Sequence, residues 1–205
     1  MNSFSPFLIR LALVCLPWCC VSCALTDSAT KIPVYEQAHR EFTERADYPK
    51  TIEVYRNETL LKSEDATQKR VKIDLSDQRV QMLVGDAVVV DSPCCTGKAG
   101  KRTPTGTFPV KEKIKDKRSN IFGSLYRSGR KVYGGDRRKY GGSYDRYVGS
   151  SLPYWMRLTD DGIGIHASKY VHRYPGSNGC VRMPHGAVST IFAMVDAGTP
   201  VDVVP

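Results

Sequence analysis

His166 closes a short apolar run, Ile163-Gly164-Ile165-His166, and fourteen residues later Cys180 sits in Ser177-Asn178-Gly179-Cys180-Val181-Arg182. A thiol is a weak nucleophile until a base or a positive field draws off its proton, and a nearby imidazole does this. Gly179 leaves room for a carbonyl to approach and for backbone N–H groups to face a developing oxyanion. The pattern points to acyl transfer, with Cys180 as nucleophile and His166 as its base. A buried cysteine is often only a small hydrophobe, but a glycine before it in a polar turn argues against that here. Zinc binding by His166, His172, Cys180 and His185 would need spacings of 6, 8 and 5 residues, which match no familiar ligand pair. No metal and no cofactor is expected.

The elements that must position these residues are mostly strands. Val71-Lys72-Ile73-Asp74-Leu75 alternates apolar and polar, Arg79–Val84 follows a turn, and Gly85-Asp86 reverses the chain into Ala87–Asp91. Pro104-Thr105-Gly106 reads as a turn before a further strand, and Thr96–Thr103 reads as plain loop chemistry. Pro153–Leu158, Gly162–His166 and Thr199–Val204 complete the strand set. One short helix follows the cysteine, with Pro184 at its start, apolar Ala187, Val188, Ile191, Phe192 and Val195, and Gly198 at its end.

The N-terminus carries an export signal. Arg10 precedes 16 uncharged residues, Leu11–Thr26, interrupted by Pro17; this is short of the ~20 that span a bilayer. Ser22-Cys23-Ala24 has the form of an ordinary cleavage site. Val21-Ser22-Cys23 resembles a bacterial lipobox, in which Cys23 would be lipidated and attach the chain to a membrane. Residues 1–24 are therefore read as the signal, 25–68 as a linker or decoration holding a short helix near Tyr35–Ala46 and a strand at Thr51–Tyr55, and 69–205 as the body. The expected location is the periplasm or cell envelope. Only Cys94, Cys95 and Cys180 remain outside the signal, which excludes a disulfide scaffold. Cys94 and Cys95 are either strand neighbours facing opposite ways or a pair of which one lies close enough to Cys180 to oxidise with it.

The 205-residue chain carries a net charge of +9. Lys101–Arg146 concentrates it, with 14 Lys or Arg against 4 Asp or Glu and tyrosines set among glycines. A segment of this length reads as a lid or binding loop. Its charge suits an anionic partner; an exported protein does not meet nucleic acid, so none is expected.

Taken in order, these pieces resemble the L,D-transpeptidase catalytic domain (YkuD type). The matching residues are Val71–Arg79, Thr96-Gly97-Lys98, Thr103–Phe108, Leu152–Arg157, Gly164-Ile165-His166, Ser177–Pro184 and Gly198–Val201. The resemblance implies a mainly β, sandwich-like fold with one short helix after the cysteine and a long basic capping loop over the cleft. It implies action on peptidoglycan stem peptides and an amine acceptor, either a second stem or a wall-attached protein. Cys180 matches the acylated nucleophile and His166 its base. Ser177, Asn178 and Gly179 match the oxyanion turn. Arg182, Tyr154, Trp155 and Ala167 match positions lining or supporting the substrate site. Asn178 stands where the family commonly has His, which removes any proton-relay role there. Ala167 stands where Ser or Gly is usual, and its carbonyl can still orient the histidine. A thiol hydrolase using the same acyl-enzyme, and a non-catalytic wall-binding module, are the alternative readings.

Overall fold

The computed structural model describes Met1, residues 34–62 and residues 68–205. The chain divides into two units, Met1–Lys31 and Ile32–Pro205. Apart from Met1 the first unit, with the expected export signal and Cys23, lies outside the described residues. No described helix is long and apolar enough to cross a membrane.

The second unit is mainly β and contains two sheets. The first runs in the order β1 (Tyr55–Arg56), β4 (Ala87–Pro93), β3 (Arg79–Val84), β2 (Lys69–Asp74), β11 (Pro200–Val204), β5 (Gly106–Pro109). The second runs β10 (Val181–Met183), β9 (Gly164–Ala167), β8 (Arg146–Arg157), β6 (Glu112–Arg127), β7 (Arg130–Asp136). Helix α3 (His185–Met194) follows β10. Alternation in β2 sends Val71 and Ile73 inward, where they meet Val80, Met82, Met156, Ile165, Val181, Met183 and Ile191 in one core. Each such fully buried side chain stabilises the fold by about 1.5–3 kcal/mol. Helix α3 ends at Met194 with Val195 as its cap, so Gly198, at φ 92°, shapes the turn into β11 rather than capping the helix.

Two expectations need correcting. The basic segment read as a loop is a long antiparallel ribbon: β6 pairs with β7 on one side and β8 on the other. The charges are tolerated because the Lys and Arg side chains from Arg118 to Arg146 are exposed, and Gly123 and Gly149 sit where the strands approach closely: a Cβ there would lie 2.3 Å from the Val148 and 2.2 Å from the Ser119 carbonyl oxygen. The strand expected at Thr51–Tyr55 shrinks to Tyr55–Arg56, which adds to the edge beside β4. The stretch read as linker or decoration supplies, in its described part, α1 (Val34–Thr43), β1 and α2 (Glu58–Leu61).

That N-terminal segment covers the outer face of the first sheet. Arg79 and Asp91 lie there, 1% and 0% exposed, with Arg79 Nε donating to Asp91 Oδ1 at 2.8 Å. Gln81 Nε2 and the Tyr48 hydroxyl donate to Asp91 Oδ2, and His39 Nε2 lies 2.9 Å from it. Arg79 also donates to the Thr51 carbonyl at 3.0 Å and lies over the rings of Phe42 and Tyr48. Burial pushes the Asp91 carboxyl up, but His39, Arg79 and Gln81 together bring it below the ordinary carboxylate range.

Candidate active site

Cys180 and His166 come from neighbouring parallel strands. Val181 of β10 lies opposite Ile165 of β9, and Arg182 opposite His166. One residue earlier, Cys180 is level with Gly164. Strand alternation sends Ile165 and Val181 into the core, both fully buried, and puts Cys180, His166 and Arg182 on the other face. Two residues of rise and one strand spacing place the Cys180 and His166 Cα atoms about 8 Å apart. Between them is Gly164, whose missing side chain leaves space for the Trp155 indole: a Cβ there would lie 2.7 Å from that ring. The indole is 4% exposed, its centroid is 6.3 Å from that of His166, and its Nε1 donates to Glu112 Oε2 at 3.2 Å.

The histidine is fixed by its own strand. His166 Nδ1 lies 2.8 Å from the Ala167 carbonyl oxygen. A carbonyl only accepts, so Nδ1 carries the proton and Nε2 holds a free lone pair in the neutral ring. His166 is 6% exposed. Burial, aided by Arg182 and opposed by the Ala167 carbonyl, lowers its pKa to about 4. Cys180 is partly exposed, and its Sγ lies 3.9 Å from the Gly162 carbonyl oxygen. Burial pushes its thiol above the ordinary value, against smaller downward pulls from the Gly164 N–H and Arg182. At neutral pH the site therefore rests as a thiol beside a neutral imidazole, not as an ion pair.

The turn before Cys180 is held from several sides. Ser177 Oγ donates to the Cys180 carbonyl at 2.5 Å and accepts from Gly179 N–H at 3.0 Å. Gly179 has φ 119°, a region that strains any residue with a side chain. Its N–H is committed to Ser177, which corrects the expectation that it stands free for an oxyanion. The loop Thr96–Thr103, read from sequence as plain turn chemistry, braces the turn directly. Thr96 O accepts from both Gly176 N and Ser177 N at 2.9 Å. Thr103 Oγ1 donates to Gly179 O at 2.7 Å and accepts from Gly97 N at 2.9 Å. A Cβ at Gly97 would sit 2.0 Å from the Lys101 carbonyl oxygen, so only glycine lets the loop fold this tightly. Gln78, itself buried, grips Thr96 through both ends of its amide.

Of the residues singled out by sequence, Cys180, His166, Arg182, Ala167, Trp155, Ser177 and Gly179 gather in this region, and Asn178 is exposed on the turn. Tyr154 goes elsewhere. It takes a left-handed backbone, φ 55°, in the middle of β8, and its ring packs edge-on against His185 and Phe192. His172 stacks on Tyr174. Among the described residues no cluster of three or more His, Cys, Asp or Glu is arranged to hold a metal ion. Cys94, Cys95 and Cys180 are all free. Cys94 belongs to the core, whereas Cys95 pairs with Arg182 and so faces the site. A two-residue offset separates Cys95 from Cys180, putting their Cα atoms about 8 Å apart, beyond the ~7 Å a disulfide spans without backbone movement. The bracing role of Gln78, Thr96, Gly97 and Thr103 is not legible in the sequence because pairings between segments separated by most of the body, Cys95 with Arg182 and Gly97 with Ser177, bring them to the turn.

Two facing sheets with a cysteine and a histidine on adjacent parallel strands define a class of fold that other proteins share. Residues 68–203 match the L,D-transpeptidase catalytic domain family, YkuD. Among solved structures, an L,D-transpeptidase from Mycobacterium smegmatis is similar with a TM-score of 0.52 at 19% identity, over 67% of this chain and 59% of that one. An L,D-transpeptidase from Stackebrandtia nassauensis gives 0.50 at 23%, over 70% and 61%. An Enterococcus faecium L,D-transpeptidase gives 0.50 at 26%, over 67% and 50%. The chain thus spans roughly half to three-fifths of the length of these structures. No curated protein matches the sequence. The chain belongs to the L,D-transpeptidase catalytic domain family.

Proposed function

We propose that this chain is a peptidoglycan L,D-transpeptidase of the periplasm or cell envelope, exported by residues 1–24, in which Cys180 is the nucleophile and His166 the general base. The observation that carries this is that Cys180 and His166 share one face of the neighbouring β9 and β10, with their Cα atoms about 8 Å apart, the imidazole neutral and the thiol partly exposed. The stem peptide enters with the carbonyl of its third residue over Cys180. As Sγ bonds to that carbon, the thiol proton passes to His166 Nε2, so neither group has to be charged beforehand. The Cys180 N–H faces the oxyanion; a donor of this kind typically contributes about 3 kcal/mol. The intermediate collapses, the C–N bond to D-Ala breaks, and His166 returns its proton to the leaving amine. An acceptor amine then attacks the thioester carbonyl, gives its proton to His166, and the thiol is restored. Arg182, beside both groups, favours the thiolate, which eases the first proton transfer, and disfavours the imidazolium, which opposes that transfer but hastens return of the proton to the leaving amine. The enzyme needs no metal for any of these steps.

Purified protein with a tetrapeptide stem and an excess of a stem bearing a free amine is expected to release D-Ala and form a new amide of matching mass. Cys180→Ala protein is expected to form neither. Equal product from Cys180→Ala would remove the mechanism. Tripeptide accumulating in place of the amide would instead identify an L,D-carboxypeptidase working through the same thioester.

A further inference from the structure

The outer part of the ribbon, from Arg118 at its root through β7 to Gly149, contributes little to the core. Leu125 is its one fully buried hydrophobic side chain. It nevertheless carries eight Lys or Arg, all exposed, against two Asp. Both acids are already engaged. Asp136 pairs with Arg138 at 2.7 Å, and Asp145 accepts from Ser128 N–H at 2.6 Å. Arg118, Arg127, Arg130, Lys131, Lys139 and their neighbours therefore form a field of one sign. Such a field repels itself and favours association with an anion.

The aromatic groups in this field are ordered in a particular way. The Arg137 guanidinium lies 4.8 Å over the Tyr147 ring, and Arg146 lies 4.4 Å over Tyr126. A guanidinium held over a ring has already given up much of its side-chain freedom, so less is lost when it binds a carboxylate. Tyr133 and Tyr140 stack at 5.2 Å, and Tyr144 continues the row at 6.5 Å from Tyr140. Gly135 and Gly142 lie against the Tyr133 and Tyr140 side chains, where a Cβ would come within 3.1 and 2.6 Å of their hydroxyl oxygens. The only large apolar side chains here that are well exposed are Val132 and Tyr144, too few to anchor in a lipid layer.

Flat amphipathic ring faces beside preset arginine forks match a chain of sugar rings bearing peptide carboxylates. We infer that the ribbon is a docking surface for polymeric, carboxylate-bearing glycan, so that the enzyme works on assembled wall rather than on free stem peptides. This rests on the peptidoglycan reading above and extends it from the reacting peptide to the polymer. The ribbon grows directly from β8, whose other end packs Trp155 beside His166. A glycan held on the ribbon therefore stays tethered to the same strand that walls the site.

The test uses full-length protein carrying Cys180→Ala, which cannot be captured covalently, pelleted with purified protein-free peptidoglycan. Arg130→Gln, Lys131→Gln, Arg137→Gln and Arg138→Gln together, and separately Tyr140→Ala, are each expected to lower the bound fraction by roughly tenfold, and high salt is expected to act like the charge change. In the background with Cys180 intact, the same ribbon variants are expected to keep turnover of a soluble tetrapeptide within about twofold, because screened surface charge acts on the polymer and not on the reacting bond. Unchanged pelleting, or tighter binding to anionic vesicles or duplex DNA than to wall, would overturn the inference. An equal loss on soluble peptide would overturn it too, since the ribbon would then serve the site itself. Salt-sensitive pelleting by a chain that never turns over soluble peptide would support the docking surface while counting against the transferase.

Discussion

The proposed chemistry turns on the protonation states of two side chains. Burial raises the Cys180 thiol and lowers His166, whose pKa falls to about 4, so a fixed thiolate–imidazolium pair is not the resting form. Thiol alkylation by iodoacetamide should then climb through pH 7–9 without a plateau, because only the thiolate reacts and the thiol pKa lies above its ordinary value. A plateau reached near pH 6–7 would show a preformed ion pair and contradict this account. Arg182 pulls on both groups in the directions expected of a nearby cation. Arg182→Gln should shift the alkylation curve to higher pH, with a several-fold slower rate at neutral pH, each pH unit being tenfold in thiolate. At this scale the sequence was most readable. Cys180 and His166 stood out by type and by setting, whereas the fate of Tyr154 did not, because its direction depends on a positive φ that no pattern of residue types announces.

The turn carrying Cys180 is set by elements far from it in the chain. Thr103 joins Gly97 and Gly179 through one hydroxyl. Thr103→Val keeps the shape but strands a buried N–H and a buried carbonyl, a loss of about 1–3 kcal/mol for each group left unpaired. Turnover should fall tenfold or more as the turn loosens, while Thr103→Ser, which keeps the hydroxyl, should stay near wild type in both melting temperature and turnover. Equal behaviour of the two variants would show that the hydroxyl does not brace the turn. The strands themselves were legible where alternation is clean, as in Lys69–Asp74 and Arg79–Val84. They were hidden in Glu112–Asp136, where a ribbon with so little buried face has no reason to alternate. The role of Thr96–Thr103 was hidden for another reason: turn residues look alike whether or not they clasp a distant segment.

Across the whole unit, the N-terminal segment is fastened to the domain by charges the domain buries. Arg79 meets Asp91 on one side and the Thr51 carbonyl on the other, while the adjacent Gln78 holds Thr96 behind the nucleophile turn. Arg173, in the stretch between His166 and Cys180, donates to the Lys50 carbonyl at 2.9 Å. The segment before residue 57 is thus coupled by two routes to the loop that presents Cys180. Asp91→Asn or Arg79→Met alone should each cost about 3–5 kcal/mol in urea unfolding, because each leaves a buried charge uncompensated. The double change should cost clearly less than the sum of the two. Additive losses would show that the two charges are not paired in the folded chain. From sequence, Arg79 reads only as the first residue of a strand, since nothing in its neighbours reveals that a second layer will cover it.

The proposed reaction turns on one event, the transfer of an acyl group to the Cys180 sulfur. Intact-mass spectrometry of the protein quenched in acid after brief incubation with a tetrapeptide stem, without acceptor, reads that event directly. The account predicts a mass gain equal to the stem less D-Ala, mapped by proteolysis to the peptide containing Cys180, and greatly diminished in His166→Gln. Release of D-Ala with no adduct, or an adduct on any residue other than Cys180, would contradict it.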